Sequence, residues 1–353
     1  MNAIERLPRA QIDATAAALK ASASSSAATG ARLYAELGPR MAEDPELVAL
    51  ASQGLASLPG VHLFAAVHYL LLRDSHDPLA QYYATLTESP KPSEQAFPEF
   101  ARFCKAYREQ ILQLLKTRTI QMTIAERCQI LMPPLSYVAD RAGEPLNLIE
   151  IGCSAGLLLA FDKFAYQLKG RGVLHSENAP LTLGFDVRGG PELHIPKIGK
   201  RIGLDLRPVD VKSEDERRWL LAQFNPESRE YQARLATALD AVARTDIRFL
   251  EGDALDYLPD LIAENPGPLC VYHANCVLYW SPEARAALER LLLEASRGRE
   301  FFRVEMEPDL QKIASAPNPI LDIVIGHYRN GAVDSKVVAH ATLPDLALFK
   351  WED

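Results

Sequence analysis

Two hydrophobic rhythms divide the 353-residue chain. Up to about residue 140 the apolar positions recur at helical spacing, which predicts an all-helical region. Met41-Ala42-Glu43-Asp44-Pro45-Glu46-Leu47 carries a helix start, with Asp44 as N-cap, Pro45 at the first helical position and an acid in the first turn. Val61 to Arg73 is apolar on most sides, interrupted by His62, His68 and Tyr69, and reads as a buried helix. Asp77-Pro78 opens a further helix through Leu86, and Pro90, Pro92 and Pro98 mark an exposed loop. Phe100, Phe103, Tyr107, Ile111, Leu114 and Leu115 form one stripe of a long amphipathic helix. A helix from Ile124 to Leu131 is expected to stop at Pro133-Pro134, and the Ser/Ala-rich stretch Ala21 to Gly30 reads as a loop or frayed helix end.

From Leu146 the rhythm changes to strand–helix alternation. Leu146 to Ile151 is a strand, followed by the small-residue loop Gly152-Cys153-Ser154-Ala155-Gly156 and an expected helix from Leu157 to Leu168. Further strands are expected at residues 181–187, 247–250, 269–273 and 301–306, with helices at 213–224, 227–243, from Ala254 to about Ala263, and 281–296. Residues 320–327 and 336–341 alternate around Asn330-Gly331, a hairpin turn. The boundary falls near residue 140. Residues 1–140 are expected to form a helical region on the cap or substrate side, and residues 141–353 an α/β domain with a mostly parallel sheet.

Composition narrows the classes. A net charge of −8 at 48% hydrophobic residues describes an ordinary soluble protein without the basic footprint of a nucleic-acid binder. Five widely spaced cysteines, an odd number with no C-x-x-C, argue against a disulfide framework or zinc knuckle and fit a reducing cytoplasm. The longest apolar run is too short to span a bilayer, which takes about 20 residues, and no secretory signal is visible. His62 and His68 do not share a helix face, so they do not suggest a metal site.

The candidate chemistry lies at the ends of the strands. Gly152 and Gly156 permit positive φ and close approach of a ligand to the backbone, and Ser154 keeps the loop thin. Glu150 ends the first strand, Asp205 or Asp186 the second, and Asp253 follows the third in Gly252-Asp253-Ala254. Spacing from Gly156 favours Asp186 as the second acid, whereas Gly203 and Pro208 around Asp205 favour a fixed backbone there. Both remain candidates, with Asp205 slightly preferred. Acids in this order, with no Lys or Arg in the loop, suit a cationic nucleoside: a sulfonium tolerates the first, a ribose diol engages the second, and an adenine amine the third. Asp253 could instead cap the next helix. His273, at the end of the fourth strand, is the candidate general base, against a satisfied histidine at a strand end. Glu305 and Glu307 alternate past the fifth strand and face one side.

Glu150-x-Gly152-x-Ser154-x-Gly156 resembles motif I of the class I S-adenosylmethionine-dependent methyltransferases, and the order of elements from Leu146 onward is similar to that Rossmann-like fold with its terminal antiparallel hairpin. More closely, nearly the whole chain resembles an uncharacterised bacterial domain-of-unknown-function family with a methyltransferase-like C-terminal half. The resemblance is carried by Leu33-Tyr34-Ala35-Glu36-Leu37, Ala66 to Leu72, Pro78 to Tyr83, Thr117 to Gln121, Gly152 to Leu157, Gly203 to Asp210 and Gly252-Asp253-Ala254. Two stretches depart from that family's pattern, Met122-Thr123-Ile124 and Leu158. The resemblance implies S-adenosyl-L-methionine as cofactor, held by Glu150, Gly152, Cys153, Ser154, Gly156, Asp205 or Asp186, Asp253 and Ala254, and a small-molecule or protein methyl acceptor. A non-catalytic binder of the same nucleoside is the alternative. A nicotinamide enzyme is disfavoured, because the loop lacks G-x-G-x-x-G.

Overall fold

The computed structural model describes residues 8–28, 30–55, 58–308, 320–342 and 346–352. The chain divides into two compact units, Met1–Met122 with Lys212–Ala236, and Thr123–Val211 with Thr237–Asp353. The single cut near residue 140 is thus replaced by a cut at 122/123 and an excursion of residues 212–236 back to the helical unit.

The first unit holds α1 (Arg9–Ala28), α2 (Arg32–Glu43), α3 (Pro45–Ala51), α4 (Pro59–Arg73), α5 (Phe97–Ala106) and α6 (Arg108–Thr117). Asp44 caps α3 as expected, its Oδ1 accepting the N–H groups of Glu46 and Leu47 at 2.9 and 3.2 Å. Next in chain order, α7 (Arg127–Ala142) belongs to the second unit, while α8 (Glu214–Ala222) returns to the first, and α9 (Arg229–Ala243) carries the chain back again. The helical core is built from Leu33, Leu37, Phe64, Val67, Phe100 and Trp219, each such burial contributing about 1.5–3 kcal/mol. Arg118 pairs with Asp215 and Glu216, and Trp219 Nε1 donates to the Thr119 carbonyl at 2.8 Å, fastening α8 to the chain after α6.

Four helical expectations are corrected here. The stretch 21–28 is helical, as the end of α1. The stripe from Phe100 to Leu115 is two helices, because Tyr107 leaves helical geometry at φ −104°, ψ 20° and its ring stacks on Phe103 at 4.3 Å. The helix from Asp77-Pro78 is a single 3-10 turn, Pro78–Tyr82; beyond it Arg229 takes the carbonyls of Ala84 and Thr87, which a helix would use internally. α7 runs through Pro133 and Pro134 instead of stopping. Both prolines are buried, and packing offsets the helix penalty of about 3 kcal/mol that each carries.

The second unit is built on one eleven-stranded mixed sheet. Its strands are β1 (Leu146–Ile151), β2 (Ala165–Leu168), β3 (Gly172–Leu174), β4 (Thr182–Arg188), β5 (Ile198–Asp205), β6 (Arg248–Glu251), β7 (Leu269–Ala274), β8 (Phe301–Met306), β9 (Ile320–Arg329), β10 (Ala332–Thr342) and β11 (Leu348–Trp351). The spatial order is β3-β2-β4-β11-β10-β9-β8-β7-β1-β5-β6. Five strands, β6-β5-β1-β7-β8, are mutually parallel. Numbered by their own appearance they read 3-2-1-4-5, so the order reverses between β1 and β7, where open α/β sheets bind ligands at the carboxyl ends. β1 is buried along its whole length, as a central parallel strand should be. α10 (Ala254–Glu264) and α11 (Pro282–Ala295) follow β6 and β7. The hairpin of β9 and β10 turns on Asn330 and Gly331, at φ 53° and 76°.

The expected helix after the glycine loop is absent. A 3-10 helix, Leu158–Lys163, stands there, and β2 follows at once. Leu157 to Phe161 is buried throughout, leaving no polar face. Side chains also claim the carbonyls an α-helix needs: Tyr166 donates to Phe161 O at 2.7 Å, and Arg201 donates to Leu159 O while pairing with Asp162. No helix of the described residues is long and apolar enough to cross a membrane.

Candidate functional site

At the carboxyl end of β1 the chain turns sharply. Gly152, Ser154 and Gly156 all take positive φ, at 75°, 50° and 72°. The turn is pinned to β5: Gly152 and Cys153 N–H both donate to the Leu204 carbonyl at 2.8 and 3.0 Å. Ser154 N–H donates to Asp205 Oδ2 at 2.8 Å, and Asp205 Oδ1 accepts the Arg207 N–H at 2.8 Å. A Cβ on Gly152 would lie 2.3 Å from Cys276 Sγ, and one on Gly156 2.7 Å from the Phe249 ring. Both positions therefore require glycine.

A cavity of about 280 Å³ opens at this point, near the lower end of the range for small-molecule sites. Gly152, Asp205, Asp253 and Ala254 line it together, with Leu206 and Trp280 among its apolar walls. Among the described residues, no Lys or Arg lines it. A larger hollow of about 570 Å³ lies at the amino ends of β5 and β6 and contains none of the expected site residues; strand topology favours the smaller one. Asp253 caps α10 through Leu255 N–H at 2.9 Å, and it also lines the cavity.

The remaining expected residues separate. Asp186 lies on β4, beyond β11 in the sheet, and pairs with Arg188 at 3.0 Å; it does not line the cavity. Cys153 is buried and faces Gly203, where an added Cβ would meet its sulfur at 2.7 Å. The Ser154 hydroxyl is buried without a hydrogen-bond partner among the described residues. Glu150 is 3% exposed and does not line the cavity. It accepts the Tyr272 hydroxyl at 3.2 Å. Burial pushes its pKa well above the usual carboxylate range and the charge of Asp205 adds to this, against the Tyr272 hydrogen bond and Arg127. The six-residue 3-10 helix after the loop stands where an α-helix was expected, so no long helix begins at the cavity there.

His273 is corrected from candidate base to a member of a buried network. Its ring is 0% exposed. Nδ1 lies 2.6 Å from Glu307 Oε1, and Nε2 lies 2.8 Å from Arg303 Nη2. Arginine can only donate, so Nε2 accepts and Nδ1–H donates to Glu307; neither nitrogen is left for a substrate. Glu307 also accepts the N–H groups of Cys276, Val277 and Leu278 at 3.1–3.2 Å. Burial alone would raise the Glu307 pKa, but His273 and these N–H groups outweigh it and hold it below the usual value. Arg303 further binds Glu289, Glu305 and Tyr328. The network fixes the loop from β7 to α11, which supplies Cys276 and Trp280 to the cavity. The sequence hint was the alternation of Glu305 and Glu307; the convergence on a buried Arg303 carried no local signal.

No curated protein matches this chain. A family model described as "Uncharacterized protein conserved in bacteria (DUF2332)" matches residues 16–344, through both compact units. The chain belongs to that family.

Proposed function

We propose that this protein binds a cationic nucleoside of the S-adenosyl-L-methionine type in the 280 Å³ cavity and transfers its methyl group to a small-molecule or protein acceptor. The observation that carries the reading is the pairing of Asp205 and Asp253, at the carboxyl ends of neighbouring parallel strands, in one cavity with Gly152 and, among the described residues, without a basic side chain. Two carboxylates attract a cation and accept from hydroxyl and amino donors; they repel a pyrophosphate. The short 3-10 helix after the loop also denies a pyrophosphate its usual helix terminus. The 3-2-1-4-5 parallel order and the hairpin beyond it support the methyltransferase-like, Rossmann-like reading of the sheet.

In this reading Asp205 receives the ribose hydroxyls, Asp253 and Ala254 the adenine edge, and Leu206 and Trp280 cover its faces. Gly152, Ser154 and Gly156 give the thin backbone along which the ligand lies. The cofactor would supply an electrophilic methyl group. The chain supplies alignment and exclusion of water, which is what such a transfer chiefly needs. The overall charge of −8 argues against nucleic acid as the acceptor.

A second reading, a nucleoside-binding protein without turnover, is favoured by the sequestration of His273: the candidate base is locked to Glu307 and Arg303. Calorimetric titration of the protein and of Asp205→Ala and Asp253→Ala with S-adenosylhomocysteine tests the site. Unchanged affinity in both variants would misplace it.

A further inference from the structure

The larger hollow, of about 570 Å³, shares no lining residue with the cavity at the strand carboxyl ends. Its size falls within the roughly 300–1,000 Å³ of small-molecule sites. Three segments of the second unit bring cations to its wall: Lys200 on β5, Arg244 just after α9, and Arg248 on β6. All three are exposed, and among the described residues none has an ion pair or a side-chain hydrogen bond. Asp246 and Glu264 also line the hollow, but neither pairs with these cations. Two further cations of the wall are already engaged: Arg201 binds Asp162 at 2.7 and 2.9 Å, and Lys163 binds it at 3.1 Å. Exposed cations are ordinary one by one. Three without a counterion on one concavity, in a chain of net charge −8, are a local reversal of sign.

Asn265, at the end of α10, lines the same hollow. It is 2% exposed, and among the described residues neither its Nδ2 nor its Oδ1 has a hydrogen-bond partner. Buried amides are ordinarily paired, and this one can both donate and accept. The end of α10 does not oppose an anion, because Arg299 takes the carbonyls of Ile262, Asn265 and Gly267 and so answers the negative pole of the helix.

We propose that this hollow is a second binding site, for a phosphate monoester of nucleotide size. Lys200, Arg244 and Arg248 receive the terminal phosphate, and Asn265 pairs with an amide-type edge such as that of a nucleobase. A terminal phosphate brings a charge of about −1.5 to −2 and three acceptor oxygens, which three separate cations can share. A carboxylate brings one charge and is matched by a single guanidinium. Asp246 and Glu264 accept from hydroxyl groups of the same ligand and disfavour a bare polyanion such as a nucleic-acid backbone. This site does not depend on the methyl-transfer reading: Lys200 lies near the start of β5 and Asp205 ends it, so the two ligands occupy opposite ends of one strand.

The test is calorimetry of the full chain with the four ribonucleoside 5′-monophosphates, inorganic phosphate and NAD at physiological ionic strength. At least one monophosphate should bind 1:1, at least ~10-fold tighter than inorganic phosphate, and NAD, which has no terminal phosphate, should not bind. The double variant Arg244→Ser/Arg248→Ser alters only exposed side chains without ion pairs, so it should fold as the parent does and weaken that monophosphate at least ~10-fold. Lys200→Ser should repeat the loss, whereas Lys336→Ser, the same charge change on the exposed part of β10, should not. Asn265→Ala should bring the monophosphate down toward inorganic phosphate and leave inorganic phosphate unchanged. Binding of no monophosphate, binding that survives the double variant, equal weakening by Lys336→Ser, or binding of an oligoribonucleotide where no monophosphate binds overturns the site. Displacement of the monophosphate by S-adenosylhomocysteine would place it in the smaller cavity and overturn this site alone. Failure of S-adenosylhomocysteine to bind would sink the methyl-transfer reading and leave this site standing.

Discussion

Asp205 Oδ2 accepts the backbone N–H of Ser154 at 2.8 Å. This one bond joins the end of β5 to the glycine loop after β1, beside the cavity that Asp205 lines. Asp205→Ala removes that acceptor and the one for Arg207. We expect a loss of about 1–3 kcal/mol in stability and at least ~10-fold in nucleoside affinity, read by urea denaturation and calorimetry. Full retention of both would separate Asp205 from loop and ligand alike.

Gly152→Ala tests the tightness of the same loop. The added methyl would lie 2.3 Å from Cys276 Sγ, at a φ of 75° that alanine resists. A cost of about 2–4 kcal/mol follows from clash and strain together. An unchanged denaturation midpoint would contradict the close approach of the two segments.

Glu307 holds three backbone N–H groups and His273 Nδ1. Glu307→Ala leaves them unpaired and should cost about 3–5 kcal/mol. The folded pKa of Glu307 is depressed, so its contribution is present above the unfolded carboxylate value and is lost as pH falls through the folded one. The variant should therefore show a flatter acid limb in a stability–pH profile; an identical limb would assign the acid sensitivity elsewhere.

His68, in the helical core, donates from Nδ1 to Phe224 O at 3.1 Å and accepts the Thr85 hydroxyl at Nε2, 2.8 Å away. Burial pushes its pKa down to about 4. It stays neutral in the fold while the unfolded chain takes up a proton near pH ~6.5. Stability is full above that value and falls as pH drops toward 4, by up to about 1.4 kcal/mol per pH unit. NMR titration of the ring should give a midpoint near 4; a midpoint near 6.5 would mean the pocket is wet.

All five cysteines are free, and burial raises each thiol, Cys276 to about 12 with Glu307 and Asp205 adding to it. A disulfide-exchange reagent at pH ~8 should therefore react with the native protein far more slowly than with the unfolded chain. Rapid native labelling of Cys276 would show its wall of the cavity to be open.

Four of the five parallel strands were legible because they are local, as in the short apolar run Leu146 to Ile151; β5 was signalled only by the reading of Asp205 as a strand end, and the strand expected at 181–187 is β4, outside the parallel core. Asp205 outranked Asp186 on flanking Gly203 and Pro208, and the structure puts Asp205, not Asp186, on the cavity. What could not be read depends on distant partners. Arg201 and Tyr166 divert the carbonyls of Leu159 and Phe161, so the expected helix becomes a 3-10 turn. β11 reaches the sheet through β4 and β10 rather than through any alternation of its own. His273 looked like a base from its place at a strand end; only Arg303, thirty residues away in the chain, shows why it is not.

The most direct measurement is calorimetric titration of the full chain with S-adenosylmethionine, S-adenosylhomocysteine and NAD. The cavity between Gly152, Asp205 and Asp253 predicts 1:1 binding of the first two with Kd below about 100 µM, weakened in Asp205→Ala and Asp253→Ala, and no binding of NAD. Binding of NAD, or of none of the three by a correctly folded sample, would contradict it.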